Sequence, residues 1–158
     1  MNMKKKIFTL ILVIWVITPF AQNVENDYFS TIKSRFEAEY SDFEVNMLGS
    51  ILVTTSDTRS EILGDIKYIT KMDLSKMKEI YFTSNIGANG VKYSKLHLTF
   101  EGKYVLQYYQ NLSKGTKAKL VSKGNKNYYV FTDKSDSEID KIVKAFKLLS
   151  KLNGAKIE

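Results

Sequence analysis

The spacing of hydrophobic residues changes twice along the chain. From Val24 to Tyr40, apolar side chains recur every three or four residues, which predicts an amphipathic helix with one apolar stripe. The residues of this stripe are Tyr28, Phe29, Ile32, Phe36 and Tyr40. A spacing of two residues replaces the helical spacing after this segment and indicates β-structure.

The clearest strand is Tyr93–Phe100, where apolar and polar residues alternate as in an antiparallel strand with one buried face. Its apolar residues are Leu96, Leu98 and Phe100, and its polar residues are Lys95, His97 and Thr99. The other predicted strands are Phe43–Met47, Ile51–Val53, Ile62–Ile69, Lys78–Ser84, Lys103–Gln110, Lys117–Ser122 and Asn127–Thr132, and the clearest one extends back to Val91. Glycine and asparagine supply turn signals at Gly87–Gly90, Glu101–Gly102 and Gly124–Lys126.

A second helix is predicted at the end of the chain. Ser135 and Glu138 have the spacing of a capping box, in which each side chain bonds the backbone of the other residue. The apolar stripe that follows consists of Ile139, Ile142, Val143, Phe146, Leu149 and Leu152. Gly154 comes shortly after the stripe and is suited to a left-handed helix end.

Short strands about ten residues apart, with a helix on each side, predict the α+β class. We expect a small antiparallel β-barrel or a strongly bent sheet of about seven strands, with an N-terminal helix and a C-terminal amphipathic capping helix. The helical segment is assigned to residues 22–42 and the β-rich domain to residues 43–158.

Residues 43–153 resemble the pleckstrin-homology-like superfold, in which a C-terminal helix closes seven strands. The number of strands carries this resemblance, together with the stretch Met72–Met77 before the strand Lys78–Ser84 and the segment Ser135–Leu152. Phe146 takes the place of the tryptophan that is common in that family's closing helix. Two alternatives are a lipocalin-like barrel, whose Gly-x-Trp signature is absent, and a curved sheet wrapped around the N-terminal helix.

The first 21 residues have the order of a secretory signal peptide. Three lysines, Lys4–Lys6, precede an apolar stretch from Ile7 to Phe20, and the small residue Ala21 comes before a polar segment. The apolar stretch is shorter than the roughly 20 residues that a membrane-spanning helix needs. We therefore expect export through the Sec pathway with cleavage after Ala21, no transmembrane segment after cleavage, and a periplasmic or secreted bacterial protein.

Composition restricts the chemistry that the chain can perform. The sequence has no Cys and one His, which excludes a disulfide framework, a thiolate metal site and a multi-histidine site. We expect no metal and no cofactor. His97 is predicted to be a surface residue on the polar face of its strand, since the sequence offers no identifiable carboxylate to orient it for catalysis.

Three further motifs are assigned to local structure. Ser75 and Lys78 match the S-x-x-K spacing of penicillin-interacting enzymes, but few residues separate Ser75 from the next strand, so we interpret the match as chance. The oxygen-rich stretch Asp133–Asp140 has Glu138 where a calcium loop needs glycine, and helix capping explains it. Asn111–Ser113 fits a glycosylation sequon but carries little meaning for a bacterial protein.

Charge is distributed unevenly. The chain carries 24 Lys and Arg against 17 Asp and Glu, for a net charge of +7. Residues 22–90 have a net charge of −4, residues 91–158 have +8, and no acid occurs between Gly102 and Thr132. Lysine and tyrosine are interleaved in this last stretch, and together they suit an anionic ligand. The candidate binding residues are Lys103, Tyr108, Lys114, Lys117, Lys119, Lys123, Lys126 and Tyr128.

The sequence therefore predicts an exported, non-enzymatic binding module that contacts an anionic lipid, a glycan or an acidic protein of the envelope through this lysine and tyrosine surface. Nucleic acid is not an expected partner, because the protein is expected outside the cytoplasm and contains two arginines, Arg35 and Arg59. The alternative is a carrier of a small apolar ligand. Its cavity would be lined by Leu96, Leu98, Phe100 and Leu106.

Overall fold

The computed structural model describes residues 23–157 as an α+β protein. Helix α1 spans residues 23–39, and helix α2 spans Asp136–Leu152. A short 3-10 helix, Leu74–Lys76, lies between the third and fourth strands. The strands are β1 Phe43–Leu48, β2 Ile51–Ser60, β3 Gly64–Asp73, β4 Met77–Ile86, β5 Lys92–Phe100, β6 Val105–Asn111, β7 Lys119–Gly124 and β8 Lys126–Thr132. The predicted signal peptide, residues 1–21, lies outside the described residues.

The strands form two antiparallel sheets that do not close into a barrel. The five-stranded sheet has the order β1-β2-β3-β6-β7, and the three-stranded sheet has the order β4-β5-β8. The chain leaves the larger sheet after β3, builds the β4–β5 hairpin, returns for β6 and β7, and adds β8 beside β5. The prediction of a strongly bent antiparallel sheet between two helices is confirmed, with eight strands where about seven were expected.

Helix α1 covers the free edge of β8. The hydroxyl of Tyr40, the residue after the helix, accepts a hydrogen bond from the Val130 amide at 2.9 Å and donates one to the Val130 carbonyl. The Glu39 carboxylate accepts from the amide of Thr132 at 2.6 Å. Side chains from the end of α1 therefore satisfy backbone groups that would otherwise face an unpaired edge.

The same helix also reaches the free edge of β1. The Glu37 carboxylate accepts a hydrogen bond from the Val45 amide at 3.3 Å. Helix α1 thus bonds the edge of β1 in one sheet and the edge of β8 in the other, and its side chains join these two edges where no strand ladder does. This arrangement corresponds to the alternative in which a curved sheet wraps around the N-terminal helix.

Phe36 of α1 lies at the centre of the core. Its ring is fully buried and contacts the rings of Phe43, Tyr129, Phe131 and Phe146 at centroid distances between 4.6 and 5.9 Å. These four rings belong to β1, β8 and α2, so one aromatic side chain joins elements from both sheets and both helices. The apolar stripe predicted for α1 is therefore part of the main core.

Helix α2 has the predicted cap and most of the predicted buried face, but Leu152, its last residue, is 48% exposed. Ser135 accepts a hydrogen bond from the Glu138 amide at 3.3 Å, and the Glu138 carboxylate accepts from the Ser135 amide at 3.0 Å. The buried residues of the helix are Ile139, Ile142, Ala145, Phe146, Leu149 and Ser150. The helix packs on β4, β5 and the 3-10 helix. Arg35 pairs with Glu138 and Glu25 pairs with Asn153, so α1 and α2 run antiparallel.

Several strand boundaries differ from the predicted ones. Ile62 was assigned to a strand, but it lies in the turn before β3 and is 92% exposed. Strand β2 continues to Ser60, although the β-branched run ended at Val53. Its second half is polar because it lies in an exposed part of the sheet, where no apolar alternation is needed. Strand β7 begins at Lys119, two residues later than predicted.

Candidate functional site

The outer face of the three-stranded sheet carries a cluster of polar and aromatic side chains. Alternation along β5 places Leu96 and Leu98 in the core and turns Lys95, His97 and Thr99 outward, as the sequence predicted. The neighbouring strands extend this outer face, since directly paired residues of adjacent strands lie on the same side of a sheet. The β4–β5 and β5–β8 registers therefore determine which side chains gather there.

Three rings form a row across the sheet. Tyr81 of β4 is paired with His97 of β5, and His97 is paired with Tyr128 of β8. The Tyr81 and His97 rings are stacked, with centroids 4.7 Å apart and an interplanar angle of 8°. Tyr128 is 59% exposed. The Tyr81 and His97 rings stack on each other, and all three rings lie on the outer face of the sheet. Their hydroxyl and imidazole groups are therefore presented at its surface.

Two lysines flank the row on either side. The ammonium group of Lys95 lies 3.9 Å from the centre of the Tyr128 ring, a cation–π contact. Lys126 is in the next row along the sheet, paired with Thr99. The residues Tyr81, Lys95, His97, Lys126 and Tyr128 line one depression of about 340 Å³, and we call these five residues the donor platform.

The electrostatics of the donor platform are set by its lysines. The pKa of His97 is lowered, first because partial burial disfavours the imidazolium and then because Lys95 and Lys126 add positive charge nearby. The Nε2 atom of His97 lies 3.0 Å from the hydroxyl oxygen of Thr83, which is a hydrogen bond. Among the described residues that line the depression, Glu79 is the single acid. The platform can therefore offer two ammonium groups, two phenols and an imidazole to a ligand.

The structure divides the predicted lysine and tyrosine surface into two parts. Lys126 and Tyr128 belong to the donor platform, whereas the other six candidates lie on the five-stranded sheet or its turns. Tyr108 is on the outer face of that sheet, with the ammonium group of Lys71 5.3 Å from its ring centre. Lys119 is paired with Tyr109 and so lies on the opposite face from Tyr108. Of the remaining four, Lys103 lies in the β5–β6 turn, Lys123 lies on β7, and Lys114 and Lys117 lie in the β6–β7 loop.

The four residues proposed to line an apolar cavity do not meet. Leu96, Leu98 and Phe100 are buried in the core on the inner face of the three-stranded sheet. Leu106 is half-buried on the other sheet, paired with Lys71 and Lys123 on the face that points away from the core. Because the two groups lie on different sheets and face different ways, they cannot line one cavity.

The remaining motifs have structural roles. The Ser75 hydroxyl donates a 2.7 Å hydrogen bond to the Asp73 carboxylate, at the point where the chain passes from one sheet to the other. The buried Asn111 side chain donates to the Leu63 carbonyl at 2.7 Å and accepts from the Lys114 amide at 2.8 Å. The amide group of the Asn111 side chain therefore joins the turn before β3 to the loop after β6. Residues 23–157 contain no group of three or more His, Asp or Glu side chains placed to hold a metal ion.

Sequence reasoning missed Tyr81 and gave Lys95 no role in binding. The Gly87–Gly90 turn closes the β4–β5 hairpin, and counting outward from it pairs Tyr81 with His97, so this half of the platform had a usable signal. The position of β8 beside β5 had no such signal, because residues 101–125, which include two other strands, separate β8 from β5.

Comparisons of the chain with protein-family models, with curated proteins and with solved structures found no match. Within residues 23–157, neither helix combines the length and the apolar character that crossing a bilayer requires.

Proposed function

We propose that this chain is an exported, non-enzymatic binding protein that recognises an oxyanion group, a carboxylate, sulfate or phosphate, on the donor platform. The observation that supports this function is the convergence of Lys95 and Lys126 with three polar rings on one exposed face. Neither lysine forms an ion pair with any described residue. Their charges are therefore available to a ligand.

An oxyanion matches the chemistry of this surface. Its charged oxygen atoms accept hydrogen bonds, and the lysines and tyrosines of the platform supply donors. The Lys95 ammonium rests on the Tyr128 ring at 3.9 Å, which holds it in place and reduces the side-chain entropy that binding would cost. Burial is the main cause of the lowered pKa of His97, and Lys95 and Lys126 lower this pKa further through the positive charge that would attract an anion.

A role in binding is favoured over catalysis by the contacts of His97. Its ring is stacked on Tyr81 and hydrogen-bonded to Thr83, so both contacts fix the imidazole within the platform. A general base of the serine–histidine type needs a carboxylate to orient the ring and a nucleophile beside it. The partner of His97 is a neutral hydroxyl on a neighbouring strand.

The test is an NMR titration of the protein with phosphate, sulfate and glucuronate, compared with the Lys95→Gln/Lys126→Gln variant. We expect the amide signals of β5 and β8 to shift, and the variant to bind about five- to tenfold more weakly, since each lost charged contact is partly screened by solvent. The matched control is Lys141→Gln/Lys144→Gln on exposed positions of α2, which removes the same charge elsewhere. Equal weakening in both variants would refute a specific platform.

A second titration identifies the source of the oxyanion. Sulfated oligosaccharides and vesicles containing phosphatidylglycerol carry the same chemistry on a glycan and on a lipid. Charge reversal of Lys114, Lys117 and Lys119 serves as the competing variant, because these residues lie in or beside the β6–β7 loop, on the other sheet. If that variant loses binding while Lys95→Gln/Lys126→Gln retains it, the ligand surface is the loop and the donor platform is wrong.

A further inference from the structure

The two sheets have four edges, and three of them lie against another element. Side chains at the end of α1 bond the backbones of β1 and β8. Strand β4 packs against α2 and residues of both line a groove together with Ile157, whereas the second half of β4 is largely exposed. Strand β7 pairs with β6, and no other described element lies along its second edge. An edge strand of this kind presents unpaired N–H and C=O groups to a partner.

Strand β7 is exposed on both faces as well as along its edge. Leu120 is 44% exposed and Val121 is 61% exposed. Lys119, Ser122 and Lys123 are exposed too. The pairing with β6 shifts by one residue between Gln107 and Tyr108, so Val121 is the extra residue of a β-bulge. A strand added at this edge could bury the adjacent apolar side chains of Leu120 and Val121.

The loop that leads to β7 is anchored at its beginning by hydrogen bonds to the β2–β3 turn. The side chain of Asn111 bonds the Leu63 carbonyl and the Lys114 amide, at 2.7 and 2.8 Å. The hydroxyl of Ser113 accepts a 2.8 Å hydrogen bond from the Asp65 amide. These contacts tie the β6–β7 loop to the β2–β3 turn. Binding at β7 would therefore spend little entropy on ordering the strand.

We propose that β7 binds an extended, acidic segment of another protein, which adds to the five-stranded sheet as a sixth strand. Main-chain hydrogen bonds would run along the free edge, and the apolar side chains of the segment would cover Leu120 and Val121. Lys123 lies on the same face as Leu120 and Lys119 lies on the opposite face, so the segment would place acidic side chains on both of its faces. No acid occurs between Gly102 and Thr132, so nothing in this part of the chain offsets those charges.

A second copy of this chain is a poorer occupant for the same edge. Pairing β7 with β7 would bring together two strands that each carry Lys119 and Lys123 and no acid. Like charges across a strand pair are destabilising. The lysines of β7 therefore oppose self-association while they favour an acidic partner.

The experiment uses a synthetic peptide with a Glu-Glu-Val-Val repeat as the probe, because this order places both Glu and Val on each face of an added strand. Binding is measured together with hydrogen exchange of the backbone amides of the protein. We expect the amides of β7 to gain protection, and a peptide of the same composition with a central Pro to bind at least about tenfold more weakly, since Pro cannot pair along the strand. Peptide binding without protection of β7, or equal binding of the Pro peptide, would overturn strand addition. An absence of binding would overturn it as well.

Two variants separate the contributions of backbone and charge. Val121→Pro removes a main-chain N–H at the bulge of β7, and it should weaken binding while it leaves the charge unchanged. Lys119→Glu/Lys123→Glu should weaken binding by about tenfold or more, whereas Lys141→Glu/Lys144→Glu on α2 should have little effect. Lys95→Gln/Lys126→Gln should leave peptide binding intact, which distinguishes this edge from the donor platform. Dimerisation through β7 without peptide would contradict the proposal.

Discussion

Replacing Phe36 with alanine tests whether α1 holds the two sheets together. Phe36 is fully buried and contacts four aromatic rings from β1, β8 and α2. The nearest two, Tyr129 and Phe131, meet it edge-to-face with centroids 4.6 and 5.3 Å away. Truncation to alanine leaves a cavity where both sheets and both helices meet, so the surrounding elements cannot all move in to fill it.

The expected loss in the free energy of unfolding is about 3–5 kcal/mol, the range for a buried Phe→Ala change. The two edge-to-face contacts favour the upper half of that range, since each such pair contributes about 0.5–1.5 kcal/mol beyond burial alone. A domain of ordinary stability has about 5–15 kcal/mol in total. The variant should therefore lose about a quarter or more of its stability, and its urea midpoint should fall by about 2 M.

Urea unfolding followed by circular dichroism measures this loss, and hydrogen exchange locates it. We expect the amides of Val45, Val130 and Thr132 to exchange faster than those of the β4–β5 hairpin, because the former donate to side chains of α1. Ile62→Ala is the matched control, since Ile62 is 92% exposed and its truncation should change stability by less than about 0.5 kcal/mol. A Phe36→Ala variant as stable as that control would refute the bridging role of α1.

Two more predictions concern pH and processing. The pKa of His97 should lie below 6.5 in the folded protein, and Lys95→Gln should raise it, whereas Lys141→Gln should not; NMR titration of the imidazole measures both shifts. Because the pKa of His97 is lowered in the folded protein, its contribution to stability is fully present above pH 6.5 and is lost as the pH falls. An unchanged His97 pKa in Lys95→Gln would contradict the electrostatic cause. The intact mass of the protein recovered from the cell envelope should correspond to a chain that begins at Gln22, and a mass that includes residues 1–21 would contradict cleavage.

The two helices and the clearest strand could be predicted because their signals are local. The stripe that contains Ile32 and Phe36 follows the helical period, and both residues are fully buried. Ser135 and Glu138 form the predicted capping box because only three residues separate them. Strand β5 has the predicted inner and outer faces because a strand with one buried face must alternate.

The pairing of the strands could be predicted only where a short turn joins them. The β4–β5 register follows from the turn that joins these two strands. The pairing of β3 with β6 could not be predicted in this way, because the β4–β5 hairpin, which belongs to the other sheet, lies between them in the chain. The same limit applies to the candidate site. Lys126 and Tyr128 were identified from their charge and ring content, whereas their distance from Lys119 and Lys123 depends on β8 joining β5 and not β7. The short turn between β7 and β8 would favour their pairing, so the pairing of β8 with β5 depends on how the two sheets pack together.

The sequence by itself determined which segments are helices and strands and which face of each is buried, because propensity, capping and hydrophobic period act over a few residues. It also determined the kind of side chain available for binding. The tertiary structure decided that α1 lies between the edges of β1 and β8, that two sheets form without closing, and that β7 is left uncovered. These outcomes depend on how separate segments share one core, which becomes defined only when all of them pack together.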